Sequence, residues 1–133
     1  MLKAEMFRGW RGPLFRWLGG MPIERSQRAN TVQQCIDAFH SSERLVLLLS
    51  PEGTRSVSRG WKSGFYYIAL GAGVPIACSF LDYGRKEAGF GPTITPTGDI
   101  NADMVLFADF YKTKTAKYPA KFGGVHLALR DEE

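Results

Sequence analysis

Apolar residues recur at Val32, Cys35, Ile36 and Phe39, the i, i+3, i+4, i+7 spacing of one helical stripe. This predicts a helix from Asn30, a good N-cap residue, to about Ser42, with His40 in the last turn where an imidazole suits the helix dipole. Residues 44–49 are apolar without alternation and stop at Ser50-Pro51, the pattern of a strand covered on both faces. After a polar turn over residues 51–60, residues 61–70 read as a helix closed by Gly71 and Gly73, and residues 74–81 as a second strand. Strand, helix and strand in this order predict a βαβ unit with a right-handed crossover and parallel strands. Thr93 to Thr95 predict a further short strand, and Asp99 caps a last helix bearing Leu106, Phe107, Phe110 and Tyr111. Residues from Pro119 onward receive no element.

The expected fold is therefore α/β, a mixed and mostly parallel sheet flanked by helices. The 133 residues fit one domain, and a hydrophobic content of 44% is enough for a core. Cys35 and Cys78 lie in apolar stretches without metal-ligand spacing, which predicts buried free thiols in a reducing compartment and no metal site. The longest aliphatic run is too short to span a bilayer, and Lys3, Glu5 and Arg8 interrupt the start of the chain, so the expected location is cytoplasmic.

Charge refines this picture. Of 17 cations and 13 acids, six cations and two acids fall in residues 1–28, which places the whole excess near the start. There Arg8, Arg11 and Arg16 alternate with Phe7, Trp10, Leu14, Phe15, Trp17 and Leu18. Such a mixture suits either a half-buried helix with solvated arginines or peripheral contact of residues 7–18 with an anionic lipid surface. Nucleic-acid binding ranks last, because charge beyond this segment sums to zero and no basic helix face follows.

The candidate chemistry lies in Pro51-Glu52-Gly53-Thr54-Arg55-Ser56, directly after the first predicted buried strand. In open α/β sheets ligands bind beyond the carboxyl ends of the strands, which is where this stretch falls. Gly53 lets backbone approach a ligand, Thr54 and Ser56 offer hydroxyls, and Arg55 can grip two phosphate oxygens in a forked pair. Glu52 can accept a ligand hydroxyl or hold Arg55. Read alone, the stretch fits a surface turn with a Glu–Arg pair equally well.

Two further blocks flank it in order: Gly19-Gly20-Met21-Pro22-Ile23-Glu24-Arg25-Ser26 before the first helix, and Val74-Pro75-Ile76 opening the second strand. Together with Trp61-Lys62-Ser63-Gly64, the three resemble conserved blocks of the glycerol-phosphate and lysophosphatidic-acid acyltransferases, from about Lys3 to about Phe110. The resemblance implies that Arg25 and Arg55 bind the acceptor's phosphate, with Glu52, Gly53, Thr54 and Ser56 shaping the site and Lys62 as a further anion contact. It assigns Val74, Pro75 and Ile76 to the acyl side. Ser50 stands where the family usually has an aromatic residue, and Ala77-Cys78 replace the family's continuation through a second proline.

The family's base is a His separated by four residues from an Asp: the His deprotonates the acceptor hydroxyl and the Asp fixes its tautomer. That pair belongs upstream of the Gly-x-Pro-Ile-x-Arg block, where this sequence has no His. His40 meets Leu45 at the required offset; His126 meets Asp131, a match that arises by chance in about one such chain in five, in a tail expected to be loose. No catalytic residue is thus expected to be retained. Met1-Leu2-Lys3-Ala4-Glu5 resembles the strand that follows the catalytic pair, which implies a domain incomplete at its N-terminus, with an exposed sheet edge.

The implied activity is transfer of a fatty acyl group from acyl-CoA or an acyl-carrier-protein thioester to a hydroxyl of a glycerophosphate-type lipid acceptor, in phospholipid biosynthesis, without a bound cofactor or metal. The alternative is a non-catalytic glycerophospholipid- or anion-binding module that keeps the arginines.

Overall fold

A computed structural model of the chain describes residues 2–3, 22–23, 28–54 and 56–128. The chain forms two compact units, residues 1–49 and 50–133. In the first, β1 (Leu2–Lys3) pairs in parallel with β2 (Pro22–Ile23), Leu2 opposite Pro22 and Lys3 opposite Ile23. Helix α1 spans Arg28–His40, so Asn30 sits inside its first turn instead of capping it. The predicted stripe is real: Cys35 is fully buried, with Val32, Ile36 and Phe39 half-buried around it. Burial pushes the Cys35 thiol up.

The strand expected over residues 44–49 is not formed. Exposure along this run alternates with the period of a strand, Leu45, Leu47 and Leu49 half-buried and Val46 and Leu48 at 94% and 74% exposed. No described residue pairs with its backbone, and without a ladder the apolar pattern alone does not make a strand.

In the second unit, α2 (Gly64–Ala72) starts three residues later than its pattern suggests. Trp61 is held out of the helix: its N–H donates to the His126 carbonyl at 2.7 Å and its carbonyl accepts from the Ala128 N–H at 2.9 Å. The result is an isolated parallel bridge, Trp61 opposite Leu127. At the other end Gly73 adopts φ +67°, and the Val74 N–H reaches back to the Ala69 carbonyl at 3.0 Å. A left-handed residue followed by such a bond is the glycine stop foreseen for this helix, whereas Gly71 lies within it.

Strand β3 (Ile76–Asp82) turns back into β4 (Glu87–Ile94), an antiparallel pair running from Ile76 opposite Ile94 to Asp82 opposite Glu87. Asp82 builds the turn: Oδ1 accepts from the N–H groups of Gly84, Arg85 and Thr115 at 3.0, 3.1 and 3.3 Å. The Arg85 N–H leads the effects holding its carboxyl below the usual range. Only the end of β4 was foreseen, because Glu87-Ala88-Gly89 and Gly91-Pro92 carry little β propensity. The mixed α/β class stands. The βαβ crossover does not appear, since β3 takes β4 as its antiparallel neighbour and the strand meant to precede α2 is absent among the described residues.

Helix α3 (Ile100–Tyr111) is capped as expected, Asp99 Oδ1 accepting from the N–H groups of Asn101 and Ala102, each at 3.1 Å. It buries Met104 and Phe107 against Trp61, Cys78 and Ile94, with Phe65, Phe110, Tyr111, Val125 and Leu127 packed around them. Leu106 on the same helix is 53% exposed. Trp61 and Phe65 stand edge to face at 5.6 Å, and Phe65 and Phe107 likewise at 5.6 Å, geometry that suits the ring quadrupoles. Around this core Tyr66 donates to Asp103 Oδ2 at 2.7 Å while the Thr97 N–H donates to the same oxygen at 2.8 Å, and the Thr97 bond leads in lowering the Asp103 pKa. Burial, then the neighbouring Cys78 thiol, pushes Tyr111 up to about 12, and burial raises Cys78 itself.

Candidate functional site

The turn expected to carry the site is built from backbone first. The Gly53 N–H donates to the Ser50 carbonyl at 3.2 Å, closing four residues. Gly53 has φ +63°, a left-handed conformation that a side chain would strain. The Lys62 N–H then donates to the Pro51 carbonyl at 2.9 Å, which ties the turn to the residue following buried Trp61. The anchoring of Trp61 in the core thereby sets where the turn sits.

Side chains complete the arrangement. A Cβ at Gly53 would lie 3.2 Å from Lys62 Cδ and 3.3 Å from its Nζ, so the lysine lies folded across the glycine. Glu52 is half-buried, and its Oε1 is sealed from solvent without a hydrogen-bond partner. A buried carboxylate oxygen left unpaired costs free energy, which a small shift of the side chain toward a hydrogen-bond donor would recover. The Thr54 hydroxyl accepts the Ser56 N–H at 3.1 Å and keeps its own proton to donate, and Ser56 is exposed.

The structure holds Glu52, Gly53, Thr54 and Ser56 in and just after one turn, with the Lys62 side chain lying against Gly53. Arg25 and Arg55, the two arginines of the expected clamp, lie outside the described residues, as do residues 7–18 and Asp131. Of the residues assigned to the acyl side, Ile76 opens β3 and packs against the core, Val74 is half-buried at the end of α2 and Pro75 is exposed.

The C-terminal segment, expected to be a loose tail, is instead fastened to this region. The Ser58 N–H donates to the Lys121 carbonyl at 3.1 Å, and Val125 and Leu127 pack into the core. Gly60 and Gly123 permit the approach: a Cβ on Gly123 would stand 2.2 Å from the Ser58 carbonyl oxygen, and one on Gly60 2.8 Å from the His126 carbonyl oxygen. The His126 ring lies over Gly60, its Nε2 3.0 Å from that same position. Sequence reasoning did not join this segment to the turn, and the only local signal was the set of glycines at 60, 123 and 124.

Among the described residues there is no cluster of His, Cys, Asp and Glu able to hold a metal, and both cysteines are free and buried. Nor is any helix among them long and apolar enough to cross a membrane. Set against known proteins, residues 1–80 match the family described as Acyltransferase. The match covers the Gly-x-Pro-Ile-x-Arg block, the Pro-Glu-Gly-Thr-Arg-Ser turn and Val74-Pro75-Ile76 together, and the chain belongs to this acyltransferase family. No curated protein matches it, and neither does any solved structure.

Proposed function

We propose that this chain carries the acceptor site of an enzyme that moves a fatty acyl group from acyl-CoA or an acyl-carrier-protein thioester to a hydroxyl of a glycerophosphate-type acceptor in phospholipid biosynthesis. The observation that carries the reading is the turn at Gly53, where Lys62 crosses the glycine beside the unpartnered Glu52 oxygen. A cation and an open acceptor so placed suit a ligand bearing both a phosphate and a hydroxyl. Arg25 and Arg55 complete the phosphate grip in this reading, and Val74, Pro75 and Ile76 border the acyl chain.

In the reaction the acceptor oxygen attacks the thioester carbonyl carbon, the carbon–sulfur bond breaks, and the hydroxyl proton leaves with a base while the thiolate is protonated. The phosphate clamp contributes by positioning, which removes entropy from the barrier before the bond forms. No resident metal or cofactor is part of the proposal. The proposed location is the cytoplasmic side of a membrane, with residues 7–18 in peripheral contact.

Acyl transfer from a radiolabelled thioester to glycerol phosphate tests the reading. Lys62→Ala and Arg55→Ala should each raise KM for the phosphorylated acceptor without a matching change for an uncharged monoacylglycerol. Equal effects on both acceptors would sink it. The second reading is a non-catalytic glycerophospholipid- or anion-binding module that uses the same turn and Lys62. It predicts the same binding with no turnover, even with His126→Ala as the comparison.

A further inference from the structure

We infer that the C-terminal segment is a wall of the anion site, and that His126 supplies a ligand contact which no block of the family match contains. The inference rests on the phosphate-acceptor reading above. The family match ends at residue 80, whereas the bridge of Leu127 to Trp61 brings His126 against Gly60, two residues before Lys62.

Residues opposite one another in such a bridge share a side, and their chain neighbours take the other. Trp61 and Leu127 face the core, and their neighbours Lys62 and His126 are both exposed. The two cationic or N–H-bearing groups therefore stand on the same outer side. The lysine runs one way over Gly53 and the imidazole lies over Gly60, with Lys62 two residues along from Gly60.

Glycine at position 60 leaves the room this needs, since a Cβ there would meet His126 Nε2 at 3.0 Å as well as backbone. Histidine carries an N–H donor in either protonation state. An anion held by Lys62 on one flank meets an N–H donor on the other. The ligand class is a phosphate monoester carrying a free hydroxyl, the phosphate between Lys62 and His126 and the hydroxyl toward Glu52.

The chain has two histidines, and His40, at the end of α1, is an internal control. The test follows both imidazole Cε1–H signals by NMR while glycerol phosphate, and separately inorganic phosphate, is titrated into the full chain. The expected result is a saturable shift of the His126 signal with none at His40, and affinity for glycerol phosphate weakened about fivefold by His126→Phe. Lys62→Gln should weaken binding as well. If Lys62→Gln weakens binding while His126→Phe does not and the His126 signal stays still, the C-terminal contact is wrong and the phosphate reading survives. If neither ligand binds, both fall. Equal shifts of His40 and His126 would mean nonspecific ion association and would also overturn the inference. Leu127→Ala, which loosens the bridge without touching the imidazole, should reproduce part of the His126→Phe loss; its binding as wild type would show that the segment need not be held in place.

Discussion

Two apolar runs of similar length meet opposite fates in this chain. Residues 44–49 are the more hydrophobic, yet Val46 and Leu48 stand in solvent and no strand forms. Residues 76–82 hold Ala77, Ser79 and Asp82, yet they form a paired strand with Cys78 at 2% exposure, where the register shifts between Ala77 and Ser79. The second run has a partner strand to complete its backbone hydrogen bonds and a helix, α3, to cover one face. A strand is a pairing, and hydrophobicity without a ladder and a lid leaves its side chains in water.

The difference is open to direct test, and the largest effect belongs to the covered side. Phe107 is 1% exposed, packed on Trp61 and Phe65. Phe107→Ala should cost about 3–5 kcal/mol by chemical denaturation. A loss under about 1 kcal/mol would mean that the core beneath β3 is not what holds the strand.

Next comes the packing between α3 and β4. A Cβ on Gly91 would lie 2.1 Å from the Phe110 ring, so Gly91→Ala should destabilise by about 1–3 kcal/mol through overpacking. A Phe110→Leu change in the same chain should return part of that loss, which a double-mutant cycle would measure.

A third effect depends on pH. The Asp103 carboxyl is held below its ordinary value of 3.8 by the Thr97 N–H and then by Tyr66, so its stabilising contribution is complete above that value. It is lost as the pH falls through and below 3.8, where the folded-state carboxylate takes up its proton. Melting temperature plotted against pH should therefore drop on the acid side, and Asp103→Asn should flatten that drop while lowering stability near neutrality. An unchanged acid limb would assign it to other carboxylates, Asp82 first.

The smallest change is expected on the uncovered run. Val46→Lys and Leu48→Lys should each alter stability by no more than about 0.5 kcal/mol and should improve solubility. A loss of 2 kcal/mol or more would show that this run is covered in solution, and the contrast with β3 would collapse.

Much of the chain was legible beforehand because the relevant signals are local. The stripe of α1, the Asp99 cap, the stop at Gly73 and the Pro51–Gly53 turn each depend on residues within a few positions of one another. What escaped depends on distant partners. The late start of α2 comes from Trp61 bonding to residues 126 and 128, and β4 exists because Asp82 turns the chain and β3 supplies its hydrogen bonds. Of the apolar residues on the last helix, spacing did not say which face inward; Asp103, Met104 and Phe107 form the face that α3 buries.

By itself the sequence determined the family, the turn after Ser50 and the positions of most helices, because motif chemistry and helical periodicity are written in short stretches. The tertiary structure alone decided which apolar run became a strand and brought His126 against Gly60. Both results require backbone groups far apart in the chain to satisfy each other, and no local pattern encodes that.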